Sequence, residues 1–275
     1  MKNKALAVIA TAVITATSWQ VAAKEQPVTS AQLQNQAVLA VDWVQQSGEY
    51  RALAYQAFNV AKMSFDHFKS QAKQDNSKEK LAVVVDLDET MINNSAYAAW
   101  QIKHGQGYSS KTWGKWEQAA KAKAIPGAIE FSKYIDSHGG TVFYVSNRSE
   151  TNLKETIKNL KKLGFSGVND KTVLLKTTTS DKKARRSIIT DEGYKIVMLV
   201  GDNLDDFDSK VIHKSNEVRR DHVNAEHSLY GTRYIVLPNP TYGSWEGGLA
   251  KGYFKLDNAG KSQVRHDALN AWNGK

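Results

Sequence analysis

The chain of 275 residues is long enough for one large α/β domain or two small ones, and its composition, 41% hydrophobic and 24% charged, is that of an ordinary globular protein. It contains no cysteine, which excludes disulfides, thiolate metal sites and cysteine nucleophiles. The net charge of +9 favours anionic ligands, but the basic residues are scattered and form no nucleic-acid motif, so we expect a solvated basic surface and no nucleic-acid partner.

Residues 1–23 have the pattern of a secretory signal peptide. Lys2 and Lys4 supply the positive start, Ala5 to Thr17 form an apolar stretch too short for a comfortable membrane span, and small residues precede a cleavage site after Ala23. A retained membrane anchor is the alternative, which the short stretch and its threonines disfavour. We therefore expect the mature protein, with a net charge of +7, in the periplasm or outside the cell.

Helical periodicity covers residues 30–73, and Ser47-Gly48 is the expected break between two helices. A polar linker then leads into the apolar run 81–85, which is typical of a buried parallel strand. Further strands are predicted at 141–145, 172–175, 195–200 and 233–237, and helices at 150–163 (ended by Gly164) and 181–191 (with Ser180 as N-cap). This alternation predicts a parallel sheet covered on both faces.

The segment 92–125 is longer than an ordinary connection and is rich in aromatic residues, among them Trp113 and Trp116. Its position after the first core strand suggests a cap or a substrate wall. The alternative is that these aromatics pack the small core of the cap itself, and for most of them we favour packing, because large aromatic side chains usually bury for that reason.

Polar residues follow the predicted strands where each of them ends. Asp86 and Asp88 follow the first strand, Ser146-Asn147-Arg148 the second, and Gly201 to Phe207 a later one. In a parallel sheet these ends converge on one crevice. Two like charges at Asp86 and Asp88 need a cation or a shared proton, which suggests metal-assisted chemistry on an anionic substrate.

The two acidic segments, 86–90 and 201–207, resemble the paired signatures of the class C bacterial acid phosphatases of the haloacid dehalogenase (HAD) superfamily. The resemblance is greatest to the lipoprotein e branch, whose members are 5'-nucleotidases and broad acid phosphatases. It continues through 94–97, 144–148 and 238–248 and covers nearly all of the mature chain. It implies an α/β fold with a Rossmann-like HAD core and a parallel sheet. Within one domain, residues 24–275, an α-helical region would come from N-terminal helices at 24–75 and a cap insertion at 92–125.

The resemblance implies roles for the four key carboxylates. Asp86 would be the nucleophile that forms an aspartyl-phosphate, and Asp88 would protonate the leaving alcohol and then take a proton from water. Mg²⁺ would be bound by Asp86, the Asp88 backbone carbonyl, Asp202 and, through water, Asp206. Asp88 must be neutral to act as an acid, which fits work at acidic pH.

Three further residues would contact the phosphate. Ser146 would donate a hydrogen bond to a phosphoryl oxygen, and the Asn147 backbone amide would add a second donor. Lys182 matches the position of the family's lysine, which pairs with the phosphate and the nucleophile; Lys176 and Lys183 are the alternatives. Taken singly, Ser146 is equally compatible with a helix-capping role, and a lone lysine on a helix is usually solvated.

Trp113 and Tyr242 occupy the positions at which the family stacks a nucleobase between aromatic rings, which implies a nucleoside 5'-monophosphate substrate. For Tyr242, packing against Trp245 is the alternative. We expect Arg148 to be structural, as a surface ion pair or a contact at a helix start. Asp205 is expected to be a solvated helix residue.

Lipoprotein e members carry a lipidated cysteine after the signal peptide, and this chain has none. We therefore expect no acyl anchor there, so that any outer-membrane association would need another cause. A homodimer is compatible with the family. A non-catalytic surface or periplasmic binding protein for phosphorylated cofactors is the alternative function, against which the intact Asp86 argues.

Overall fold

The computed structural model describes residues 27–274, so the predicted signal peptide lies outside the described residues. Within these residues three helices come first: α1 (Ser30–Asn35), α2 (Val38–Gln46) and α3 (Gly48–Gln74). The predicted break is confirmed, because Ser47 accepts a hydrogen bond from the Tyr50 backbone and caps α3. An additional interruption at Gln36 and Ala37 divides the first predicted helix into two.

Seven strands follow in the part of the chain that the structure describes: β1 (Lys80–Val85), β2 (Ile92–Asn93), β3 (Lys123–Ala124), β4 (Thr141–Ser149), β5 (Val173–Lys176), β6 (Tyr194–Gly201) and β7 (Tyr234–Val236). Five of them form a parallel sheet in the order β5-β4-β1-β6-β7, and β2 and β3 form a small antiparallel sheet. The expected parallel α/β fold is confirmed. Because β1 lies between β4 and β6, its carboxyl end is at the centre of the sheet edge.

Helices cover both faces of the main sheet. The remaining helices are α4 (Ser95–His104), α5 (Ser110–Ala119), α6 (Ala128–Ser137), α7 (Leu153–Leu163), α8 (Lys183–Asp191), α9 (Asn216–Ala225), α10 (Ser244–Gly247) and α11 (Asn258–Asp267). Alternate residues of β1 point to opposite faces: Val83 and Val85 pack with side chains of α3 and α6, and Ala82 and Val84 pack with Ile189 of α8. The continuous apolar run of β1 is therefore buried on both sides.

The segment 92–125 contains α4 and α5, and β2 and β3 pair at its base through Ile92–Ala124 and Asn93–Lys123. We call this segment the cap. The helices α1 and α2 pack against α4 of the cap, whereas α3 packs against α6 and the main sheet. The N-terminal helices are thus divided between the cap and the core.

Several element boundaries differ from the sequence predictions. Strand β4 continues to Ser149, so Ser146 and Arg148 lie within it rather than after it. Helix α8 begins at Lys183, and Ser180 is not its N-cap: that position belongs to Lys182, which makes no side-chain cap. Helix α7 is preceded by a 3₁₀ turn and ends at Gly164, as expected. Among residues 27–274, none of the helices combines the length and the apolar character needed to cross a membrane.

Candidate active site

Asp86 lies directly after β1, at the centre of the sheet edge. Its backbone amide donates to the Val200 carbonyl at 2.8 Å, which extends the pairing of β1 with β6 and fixes the start of the loop. The side chain is buried. Burial raises the pKa of Asp86 to about 7, against the lowering effect of Lys182 and with a further rise from Asp206 and Asp88. Such a group needs a cation beside it to remain ionised at neutral pH.

Lys182 is the cation that contacts Asp86. Its Nζ donates to Asp86 and lies 2.7 Å from Oδ1 of Asp206, and its side chain is only 2% exposed. Burial alone would lower the pKa of Lys182, but Asp206 and Asp86 raise it, so the ammonium group stays charged. Lys183 is exposed and Lys176 is half-buried, and the structure brings Lys182 rather than either of them to Asp86.

Three carboxylates converge at the same edge. Asp86, Asp202 and Asp206 each offer an oxygen, and these oxygens lie within 4.8 Å of one another. Asn239 Nδ2 at 2.9 Å and Thr90 Oγ1 at 3.1 Å donate to Asp202. Burial raises the pKa of Asp202 well above its usual range, and Asp206 and Asp86 raise it further. Oxygen donors that repel one another in a buried position fit a hard divalent cation, so this cluster can hold a metal.

Close packing against Gly201 positions Asp206. The Asp206 carboxylate accepts a hydrogen bond from the Asn203 backbone at 3.0 Å and packs directly on Gly201. A Cβ at position 201 would lie 2.4 Å from Asp206 Oδ2 and 2.6 Å from its Cβ. Glycine at the end of β6 is therefore a steric requirement of the acidic cluster.

Asp88 is surrounded by hydrogen-bond donors. Nε of Arg148 lies 2.9 and 3.1 Å from the two carboxylate oxygens, Asn94 Nδ2 donates to Oδ1 at 2.8 Å, and Ser146 Oγ donates to Oδ2 at 3.3 Å. Ser146 also accepts a hydrogen bond from the Arg148 backbone amide. Ser146 thus lies beside Asp88, and its contact with a phosphoryl oxygen stays a prediction.

Two residues differ from their predicted surroundings. Arg148 was expected to be structural, as a surface ion pair or a contact at a helix start, but it is 1% exposed and its ion pair with Asp88 is buried. Asp205 was expected to be solvated, but its side chain accepts hydrogen bonds from Arg219 and Ser244, each at 2.6 Å. Both predictions were wrong because the partner lies on a distant segment, which a local sequence pattern does not indicate.

Asn147 is exposed, and its side chain accepts a hydrogen bond from Arg185. One nitrogen of Arg185 donates to the Ser146 carbonyl at 2.5 Å and the other to Asn147 Oδ1 at 2.7 Å. These contacts fix the backbone of β4 at the crevice. The sequence analysis missed Arg185, and the only available signal was its place three residues after Lys182 on the same predicted helix.

Glu89 and Asn94 were also missed. Glu89 adopts a left-handed backbone conformation, with φ of 59°, and its buried carboxylate accepts hydrogen bonds from the Asn94 amide at 2.7 Å, from Asn94 Nδ2 at 3.1 Å and from the Tyr242 hydroxyl. Burial raises the pKa of Glu89 to about 7, and Asp88 adds to the rise. The strain of such a conformation is tolerated where surrounding contacts enforce it.

Trp113 lies beside Arg148, and Tyr242 contacts Glu89, so both rings are near Asp88. The Trp113 ring contacts Tyr97 edge-on at 5.1 Å, and Arg148 lies 5.7 Å from its centroid. Tyr242 is 38% exposed, and its backbone carbonyl accepts a hydrogen bond from Trp245 at 3.1 Å. Contact of these two rings with a nucleobase stays a prediction.

Comparison with known proteins agrees with this geometry. The model of the HAD superfamily, subfamily IIIB (Acid phosphatase) matches residues 1–245. The structure of the class C acid phosphatase from Bacillus anthracis is similar, with a TM-score of 0.81 and 37% sequence identity, over 88% of this chain and 99% of that chain. A second structure of that protein has tungstate bound. The chain belongs to the acid phosphatase family of HAD subfamily IIIB.

Plant proteins are more distant relatives. Acid phosphatase 1 of Solanum lycopersicum is 28% identical over 129 residues, which cover 45% of this chain and 50% of that protein. The stem 31 kDa glycoprotein of Glycine max is 27% identical over 164 residues, 57% of each chain. This chain therefore spans about half the length of the plant relatives that it matches.

Proposed function

We propose that this protein is a Mg²⁺-dependent phosphatase that hydrolyses phosphate monoesters, preferentially nucleoside 5'-monophosphates, through an aspartyl-phosphate at Asp86. The observation that carries the proposal is the contact of buried Asp86 with Lys182 beside the acidic cluster. A carboxylate with a fixed ammonium group next to it is suited to attack a phosphoryl group, because the ammonium offsets the repulsion between two anions. The tungstate-bound structure of the Bacillus anthracis relative supports an oxyanion as the kind of ligand.

In the first step an Asp86 oxygen attacks phosphorus, the bond from phosphorus to the leaving oxygen breaks, and Asp88 gives its proton to that oxygen. In the second step Asp88 takes a proton from water as the water oxygen attacks phosphorus, and the Asp86–phosphate bond breaks. Lys182 and the Asn147 backbone amide are suited to hold the phosphoryl oxygens during both steps, and Ser146 would join them when its hydroxyl turns from Asp88 to the substrate. Mg²⁺, held by Asp86, the Asp88 carbonyl, Asp202 and Asp206, would neutralise negative charge on the phosphoryl group.

The nucleotide preference rests on Trp113 and Tyr242. Both are aromatic, both border the crevice near Asp88, and a planar base between two aromatic faces gains about 1–3 kcal/mol per stacked ring. Stacking of this kind tolerates any base, so we propose a broad 5'-nucleotidase.

We also propose a homodimer and export to the periplasm or the cell exterior. Mass spectrometry that identifies the first residue of the mature protein would test the export.

The test is phosphate release from 5'-AMP and from p-nitrophenyl phosphate between acidic and neutral pH. It is run with Mg²⁺, with a chelator, and with the Asp86→Asn variant. We expect turnover of both substrates that is lost with the chelator and with the variant. Binding of 5'-AMP without turnover by the intact protein with Mg²⁺ would instead favour a binding protein. Activity that survives in Asp86→Asn would show that the nucleophile lies elsewhere.

A further inference from the structure

Arg148 is a buried arginine whose guanidinium group faces a single reactive side chain. It lies within β4, is 1% exposed, and directs Nε to both oxygens of Asp88 and Nη2 to Oδ1 at 2.8 Å. The same Nη2 donates to Asn94 Oδ1 at 3.2 Å. A planar guanidinium group bound in this way fixes the plane of a carboxyl group, which a point charge such as an ammonium does not.

The two carboxylate oxygens of Asp88 differ in the hydrogen bonds that they accept. Oδ1 accepts hydrogen bonds from Arg148 and, at 2.8 Å, from Asn94 Nδ2. Oδ2 has longer contacts, 3.1 Å to Arg148 and 3.3 Å to Ser146. Oδ1 thus has three close donors, since Arg148 Nη2 also lies 2.8 Å from it, whereas both contacts of Oδ2 are longer and therefore weaker. Oδ2 is the oxygen that takes a proton at the smaller loss of hydrogen bonding. The Asp88 side chain is also 15% exposed, so it borders the crevice while Arg148 does not.

Residues of the cap contact Arg148 and Asn94, the two residues that bind Asp88. The Trp113 ring centroid lies 5.7 Å from Cζ of Arg148, and Trp116 Nε1 donates to Asn94 Oδ1 at 2.7 Å. Glu117, buried on the same helix α5, has one oxygen bound to Asn152 and the other without a hydrogen-bond partner. Helix α5 therefore fixes Arg148 and Asn94 from outside the sheet.

We propose that Arg148 is a positioning residue that aims Oδ2 of Asp88 at the leaving oxygen of the substrate. This inference rests on the proposed function, in which Asp88 gives its proton to that oxygen as the phosphorus–oxygen bond breaks and the bond electrons remain on the oxygen. Arg148 is only 1% exposed, too little to contact the phosphate, so it acts through Asp88. Removing it leaves the nucleophile in place and misaligns the acid.

A leaving-group series distinguishes this role from a structural one. An aryl phosphate with a good leaving group, such as p-nitrophenyl phosphate, needs little protonation, whereas an alkyl phosphate such as 5'-AMP or glycerol 2-phosphate needs the acid. We expect Arg148→Lys to lower kcat/KM for the alkyl esters about 100-fold and for p-nitrophenyl phosphate less than about 5-fold, since general acid catalysis contributes roughly 10²–10⁴-fold. Asp88→Asn should show the same selective loss.

The matched control is Arg265→Lys, which changes a partly buried arginine whose partner, Glu246, lies 2.5 Å away near the C-terminal helices. Its ratio of alkyl to aryl kcat/KM should equal that of the unmodified protein. If Arg148→Lys does not fold, as judged by circular dichroism, Asn94→Ser replaces it, because Asn94 donates to the same Oδ1. In a folded Arg148→Ala variant, added guanidinium should restore part of the alkyl ester activity.

The outcomes separate the inference from the function on which it rests. A selective alkyl loss in both Asp88→Asn and Arg148→Lys supports the inference. An equal loss on all esters in Arg148→Lys, with a selective loss in Asp88→Asn, overturns the inference and leaves the proposed function intact. An equal loss on all esters in Asp88→Asn overturns the general acid assignment, and the positioning role with it.

Discussion

The Tyr242 hydroxyl donates a hydrogen bond to the buried carboxylate of Glu89, so a loop near the C-terminus is tied to the loop that follows the first core strand. Because the hydroxyl is used in this way, the ring of Tyr242 has a defined orientation at the crevice. The hydroxyl and the ring then have separable consequences, the first for stability and the second for the proposed nucleotide preference.

Substitution of Tyr242 separates these two effects. Tyr242→Phe keeps the ring and removes one donor from Glu89, so we expect a loss of about 1–3 kcal/mol in stability with little change in the preference for 5'-AMP over p-nitrophenyl phosphate. Tyr242→Ala should lower that preference as well, by about 5- to 150-fold, because a stacked ring contributes about 1–3 kcal/mol. Ratios of kcat/KM and urea unfolding measure both. An equal loss on both substrates in Tyr242→Ala would contradict base stacking.

Glu89 lowers the stability of the metal-free protein by an amount that depends on pH. Its pKa is raised from 4.5 to about 7 in the folded state, so the folded protein keeps a proton that the unfolded chain has already released. The contribution of Glu89 to stability therefore falls as pH rises from about 4.5 to about 7 and is constant above that. In chelator, Glu89→Gln should gain about 3 kcal/mol relative to the unmodified protein across this range, at about 1.4 kcal/mol per pKa unit. Denaturant unfolding at several pH values checks this, and a constant difference would contradict it.

Gly201→Ala should displace Asp206. The new Cβ would lie 2.4 Å from Asp206 Oδ2, so the carboxylate must move and the acidic cluster loses its geometry. We expect at least a 10-fold higher Mg²⁺ concentration for half-maximal activity. Gly48→Ala is the matched control, because a Cβ there meets no atom within 4 Å and its activity should be unchanged. Equal Mg²⁺ requirements for the two variants would show that Gly201 does not matter to the cluster.

Asp202→Asn should have opposite effects on the two forms of the protein. Burial and the charges of Asp206 and Asp86 raise the pKa of Asp202, so a neutral amide relieves repulsion and should stabilise the metal-free protein. The unmodified protein should gain about 3 kcal/mol from Mg²⁺ at 100 times its Kd, whereas the variant should gain little. Thermal unfolding with Mg²⁺ and with chelator measures both effects. An equal Mg²⁺ response would exclude Asp202 as a ligand.

Lys182→Met should be the most destabilising change at the site. It removes the cation between Asp86 and Asp206, and breaking a buried ion pair costs about 3–5 kcal/mol. Activity should fall by at least about 100-fold, since the phosphoryl oxygens lose a charged donor. Lys183→Met is the control, because Lys183 is exposed and should tolerate the change. A larger loss in Lys183→Met would reassign the lysine.

The sequence predicted the parts of the fold that depend on local periodicity. The apolar run of β1, the alternation of strands and helices and the C-terminal glycine of α7 follow from residue types and spacing. The start of α8 was misplaced because Lys182 occupies the N-cap without capping: its side chain reaches the carboxylates instead. The extension of β4 to Ser149 was missed for a similar reason, since polar residues in a strand are read as its end unless their partners are known.

At the site, the acidic residues could be predicted because they follow strands that converge. Arg148, Arg185, Asn94 and Glu89 could not, because each depends on hydrogen bonds to residues on other elements. A buried arginine and a surface arginine look alike in a single sequence. Their difference arises only when the sheet brings β1 and β4 side by side.

The contacts of the site join residues that are far apart along the chain: 96 residues separate Asp86 from Lys182, 112 separate Thr90 from Asp202, and 153 separate Glu89 from Tyr242. Contacts at such separation form late, because closing a long loop costs chain entropy before the contact contributes any stability. A growing chain on the ribosome therefore cannot assemble the site until residue 242 has emerged. Catalytic competence in this protein is thus a sensitive marker of complete folding, and we expect refolding followed by activity to lag behind refolding followed by helix content.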